Sequence, residues 1–168
     1  MTYEELLEVA DDLGLIAKEK DLQAHDGLIH GRRVAIRRSI QSQRRKACVL
    51  AEELGHYFTT AGDIMGPTDA GSRKQERRAR IWAHDVQVGL DGILAADAAG
   101  CRSVYEMADF LEVPEDFLVE AIGCYSERYG RGICYKGYQI LFDPLEVRHG
   151  EDEDEDEDKE KDISEGQP

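Results

Sequence analysis

Apolar residues recur at helical spacing from Tyr3 to Leu15, at Leu6, Leu7, Val9, Ala10 and Leu13, and Gly14 follows where a helix would stop. From Gly27 to Ile36 the pattern changes to two short apolar runs around Gly31, which predicts a β-hairpin. Helical spacing returns after Ser39 or Ser42, either of which can cap a helix to about Phe58, and Thr59-Thr60-Ala61-Gly62-Asp63 ends it. A loop from Gly62 to Gly71 leads to a helix from Ser72 to about Val88. Two more helices are expected near Ser103–Leu111 and Glu115–Tyr129, with Pro114 suited to a first helical turn. A second hairpin, Ile133 to Phe142, closes the pattern. The order is helix, hairpin, four helices, hairpin: a mainly helical α+β domain without internal repeats.

Charge sets the expected domain boundary. Residues 151–168 carry eleven acids and two lysines, −9 of the formal −15, while the remaining 25 acids and 19 bases leave only −6. So polar a run buries too little apolar surface to offset its ordering entropy. The expectation is a folded domain over 1–149 and a disordered acidic tail over 150–168. No apolar run reaches membrane-spanning length, and MTYEELLEVADD is acidic and amphipathic, unlike a secretory signal. The cysteines (Cys48, Cys101, Cys124, Cys134) lack C-x-x-C spacing, and Cys48 and Cys124 fall inside helical patterns. These features predict a reduced cytoplasmic protein with no membrane partner.

Candidate chemistry lies on the two central helices. Leu50 to Tyr57, LAEELGHY, differs by one residue from an H-E-x-x-H metal helix, with Glu52 standing where the first histidine would be. Ala47, Leu50, Ala51, Leu54 and Phe58 share one stripe, read as the core face. Glu52 and His56, four apart, lie together on nearly the opposite side, and Glu53 is offset toward a third direction. Such an i, i+4 pair can chelate an ion while the offset glutamate acts on a water beside it. On the next helix Glu76 falls in the middle of the apolar stripe of Ala79, Ala83, Val86 and Leu90. A carboxylate facing the core needs a partner. Arg80, one turn on, could supply it, and so could a metal held by Glu52 and His56. Tyr57 reads as a packing residue and His84 as a surface histidine or a support behind a ligand. His25, His30 and His149 carry no signal.

The blocks CVLAEELGHYFTTAGDI (Cys48 to Ile64) and RKQERRARIWA (Arg73 to Ala83) resemble the ImmA/IrrE family of metallo-endopeptidases, and the resemblance extends from about Tyr3 to Leu145. It implies a zincin-like minimal metalloprotease domain. In that pattern H-E-x-x-H is followed by E-x-x-A-x-x-[FW]-A, here Glu76 to Ala83, whose glutamate is the third ligand. By resemblance, Glu52, His56 and Glu76 are the metal ligands and Glu53 is the general base. Glu52 departs from the family histidine. Carboxylates bind zinc, but a set of one imidazole and two carboxylates is harder, so Mn²⁺ or Fe²⁺ joins Zn²⁺ as an expected ion.

The resemblance further implies a substrate: a helix-turn-helix repressor of a prophage or mobile element, inactivated by cleavage in a bacterial or phage-derived setting. A competing reading is a catalytically silent protein that binds and sequesters the repressor. A third is direct nucleic-acid binding. Between Arg32 and Arg80 stand twelve Lys or Arg against five acids, and Tyr105–Val113 followed by PEDFLVEAIG scans like the first two helices of a helix-turn-helix. The would-be recognition helix, however, presents Glu115, Asp116 and Glu120 where phosphate contacts are needed, and the acidic tail repels DNA. The expectation is therefore no direct nucleic-acid contact.

Overall fold

The computed structural model describes residues 1–60 and 69–149. The expected acidic tail and most of the expected loop from Gly62 to Gly71 lie outside the described residues.

The first helix, α1 (Tyr3–Asp12), starts at a capping box in which the Thr2 side chain accepts from the Glu5 N–H and Glu5 accepts from the Thr2 N–H. It buries Tyr3, Leu6 and Ala10, and Gly14 (φ +67°) turns the chain out of it. The expected hairpin follows as β2 (Gly27–His30) and β3 (Arg33–Arg37), paired antiparallel. A strand the hydrophobic pattern did not predict, β1 (Ile16–Lys20), pairs parallel with β3, giving the sheet order β1-β3-β2. Its sequence IAKEK offers one short half-buried face, too little alternation to be read alone. Lys46 is buried and bonds Glu19 of β1 at 2.6 Å, tying this strand to the next helix.

That helix, α2 (Gln43–Thr60), is capped by Ser42, whose Oγ accepts from the Arg45 N–H at 3.3 Å. It packs against α1, β2, β3 and α3 (Asp69–Gln87). Its predicted stripe is buried at Ala47, Leu50, Ala51 and Leu54, whereas Phe58 is 43% exposed. Phe58 lies one turn beyond the core and rests instead on Trp82 of α3, ring centroids 4.9 Å apart.

Beyond α3 the left-handed Gly89 (φ +60°) opens α4 (Gly89–Ala98), an additional helix whose two glycines hide it from propensity. The expected pair α5 (Val104–Phe110) and α6 (Glu115–Tyr129) follows, α5 starting at a Ser103/Glu106 capping box and α6 taking Pro114 as its N-cap. The fully buried Tyr125 accepts a hydrogen bond from the Gly89 N–H at 3.1 Å, joining α6 to α4. The closing hairpin, β4 (Gly132–Tyr135) and β5 (Tyr138–Phe142), gains a third strand, β6 (Leu145–His149), beyond the breaker Pro144. The architecture is α+β.

Three arginines of the basic band, Arg44, Arg45 and Arg77, join helices, and Arg128 adds a fourth link from outside the band. Arg44 and Arg45 of α2 bond Asp109 of α5 and Asp116 of α6, Arg77 of α3 bonds Glu127 of α6, and Arg128 of α6 reaches Asp85 of α3. Exposed pairs of this kind contribute roughly 0–1 kcal/mol each, so they register the helices more than they stabilise them.

Candidate active site

The site begins with a close helix crossing. A Cβ on Gly55 of α2 would stand 2.4 Å from the Ala79 carbonyl oxygen and 3.0 Å from two further backbone atoms of Ala79. Glycine facing a buried alanine therefore lets α2 and α3 meet backbone to backbone. That contact sets His56, the residue after Gly55, beside Glu76, three residues before Ala79. His56 Nε2 lies 3.3 Å from Glu76 Oε2. The other oxygen, Glu76 Oε1, accepts from Arg80 Nη2 at 3.2 Å, the i, i+4 pairing the sequence suggested. The expectation that Glu76 faces the core is corrected. Its side chain is 51% exposed, because the stripe it belongs to opens into a cleft before reaching it.

The cleft, about 680 Å³, runs between α2, the start of α3 and the free edge of β2. Glu52, Glu53, His56, Tyr57 and Glu76 all line it, together with His25, Asp26 and Leu28 from the β2 side. Glu53 lies close against β2 because Gly27 has no side chain: a Cβ there would be 2.5 Å from Glu53 Oε1. The Ile29 N–H donates to the Glu53 carboxylate. Burial nevertheless pushes Glu53 up to about 7, with the negative charges of Glu52 and Glu76 adding to it and the Ile29 bond opposing. Burial likewise raises Glu52, countered by Arg80 and reinforced by Glu76. A carboxyl poised near neutrality in a cleft can both accept and return a proton. Tyr57 lines the cleft and also packs edge-on against Phe58, centroids 5.5 Å apart.

The residues suit a divalent cation in chemistry and in part in geometry. Two donors on a tetrahedral zinc with bonds of about 2.0–2.1 Å stand about 3.3 Å apart, and His56 Nε2 and Glu76 Oε2 have that separation. The lining among the described residues holds four carboxylates and no lysine or arginine, a charge balance that a cation would relieve. Glu52 shares the cleft but does not complete a set with this pair: among the described residues no three His, Cys, Asp or Glu side chains are grouped to hold an ion.

Two histidines differ from their sequence reading. His84 is fully buried, its ring nitrogens have no hydrogen-bond partner among the described residues, and its ring meets Phe117 edge-on at 4.8 Å. Phe117 arrives from α6, a packing the helical wheel of α3 cannot reveal. His25 gave no signal because its loop has no period, yet it lines the cleft.

Comparison with curated proteins and with solved structures gives no match. The family model of the IrrE N-terminal-like domain (Peptidase M78) matches residues 10–122, which include both cleft helices. The match covers two thirds of the chain, and the chain belongs to this peptidase family.

Proposed function

We propose that the protein is a metal-dependent endopeptidase whose substrate is a helix-turn-helix repressor. The observation that carries the reading is the meeting of His56 and Glu76 at ligand spacing beside a desolvated Glu53. His56, Glu76 and Glu52 would hold the ion, with Glu52 as the adaptable member of the set. When bound, the ion supplies Lewis acidity to the scissile carbonyl and to the attacking water.

The rest of the work falls to the chain. Glu53 takes a proton from the attacking water as the oxygen–carbon bond forms, then gives it to the amide nitrogen as the carbon–nitrogen bond breaks. Its seat against Gly27 and Ile29 keeps the carboxylate oriented across the cleft. Arg80 fixes Glu76 through Oε1, so that Oε2, facing His56 Nε2, would be the oxygen to hold the ion. The harder donor set favours Mn²⁺ or Fe²⁺ more than a two-histidine site would. Kinship with this peptidase family supports the choice of a repressor as substrate. Among the described residues no helix is long and apolar enough to cross a membrane.

The direct test is co-expression with a helix-turn-helix repressor encoded beside the gene. A cut repressor band should appear and should vanish in Glu53→Gln, whose loss of a general base costs about 10²–10⁴-fold. The second reading, a sequestering protein, draws on Glu52 forming no three-donor group with His56 and Glu76 among the described residues. It predicts a stable complex with intact repressor under every metal tried, indifferent to Glu53→Gln.

A further inference from the structure

Among the described residues the cleft lining holds no lysine or arginine to meet a negative charge. Hydrolysis of a peptide bond places charge on the carbonyl oxygen, and stabilising it needs N–H or O–H groups held in place beforehand. Two donors are engaged: His56 Nε2 faces Glu76, and the Ile29 N–H is used by Glu53. Tyr57 stands on the same helix as Glu53, its ring edge-on to Phe58. His25 is different. It lines the cleft from the β2 side, opposite α2, and among the described residues nothing bonds its exposed ring.

Its loop is nonetheless fixed. Arg37, at the end of β3, donates from Nε to the His25 carbonyl oxygen at 3.0 Å and from Nη2 to the Gln23 carbonyl oxygen at 3.4 Å. The same guanidinium pairs with the Asp26 carboxylate at 3.1 Å, and the Arg37 backbone N–H donates to the Asp26 carbonyl oxygen at 2.7 Å. Arg38 holds the start of the loop through Asp21 and Lys20. These ties fix where the backbone presents the imidazole, and the unbonded ring can turn to a ligand in the cleft.

Resting on the peptidase reading, we propose that His25 is a substrate-facing hydrogen-bond donor to the oxygen of the scissile carbonyl. Arg37 is its positioning residue. His25 lines the cleft from the β2 side and Glu53 from α2, so a carbonyl held in the cleft would lie between the donor and the proton-transfer group.

The test uses the full chain loaded with Zn²⁺ and two dansylated tripeptides. They are identical except that one has a phosphonamidate, a charged tetrahedral mimic, in place of its central amide. Wild type should bind the phosphonamidate at least about 10²-fold more tightly. His25→Ala should weaken that binding about tenfold or more, as expected for a bond to a charged acceptor, and leave the ordinary peptide within about twofold. His25→Gln, which keeps an N–H donor, should restore most of the loss, and Zn²⁺ affinity should be unchanged in both variants. Equal weakening of both peptides, or none of either, overturns the role of His25 while the peptidase reading stands. A wild type that takes up no Zn²⁺, or does not distinguish the peptides, overturns the peptidase reading and this inference with it.

Discussion

The two halves of α3 carry similar polar chemistry into opposite environments. Toward its start Glu76 and Arg80 are about half exposed and bond one another, and Glu76 lines a cleft. Two turns on, His84 and Gln87 are buried; among the described residues both nitrogens of His84 and the amide nitrogen of Gln87 have no partner. The difference lies in what covers each half. Gly55 brings α2 against Ala79 and leaves the cleft open beside Glu76, while Phe117 of α6 covers His84. The first half can exchange protons and ions with solvent. The second can only lose stability if it is charged.

The contrast breaks most completely at the crossing point. Gly55→Ala drives a methyl group into the Ala79 backbone, which unlike a flexible side chain cannot move aside. Overpacking of this kind typically costs about 1–3 kcal/mol, and this contact belongs at or above the upper end. Chemical denaturation should show that loss, and parting the helices should also separate His56 from Glu76 and weaken metal uptake. A variant as stable as wild type would remove the close crossing from the account.

A smaller effect sharpens the buried half. His84 is lowered from 6.5 to about 4 by burial, with the charge of Arg80 adding to it. Because the folded value is depressed, the unfolded chain takes the proton first. Stability is therefore full above about pH 6.5 and falls as the pH drops toward 4, by on the order of 2–3 kcal/mol. Glu53, raised to about 7, acts in the opposite direction over an overlapping range, so the wild type must be compared with His84→Leu. The leucine variant should be the more stable at pH 7, by about 1–3 kcal/mol for two unbonded nitrogens removed, and its advantage should widen as the pH falls. A constant difference between pH 7 and 4.5 would show that His84 has a partner in solution.

What the sequence revealed follows the same division. Glu76 and its Arg80 partner were legible because both lie on one short stretch of one helix, where a 100° step places them. The close approach of α2 and α3 was foreshadowed by Ala79 and Ala83. The burial of His84 was not, because it depends on a residue 33 positions away in α6. Phe58 misled in the opposite sense: it keeps the period of the stripe but extends past the neighbour that would bury it. His25 illustrates a third limit. Its position comes from sheet pairing and from Arg37 bonding backbone carbonyls, neither of which leaves a periodic trace. β1 and β6 were missed for a related reason, since a parallel partner or a strand beyond a proline is fixed by long-range pairing.

The central claim is that His56 and Glu76 hold a divalent ion that Glu53 does not touch. Calorimetric titration of the metal-free chain with Zn²⁺ and Mn²⁺ tests it most directly. Wild type and Glu53→Gln should each bind a single ion with similar affinity, and His56→Ala and Glu76→Gln should lose it. Glu52→Ala should weaken binding, and Glu52→His should tighten Zn²⁺ relative to Mn²⁺, as the softer donor requires. Undiminished binding in both His56→Ala and Glu76→Gln would contradict the account.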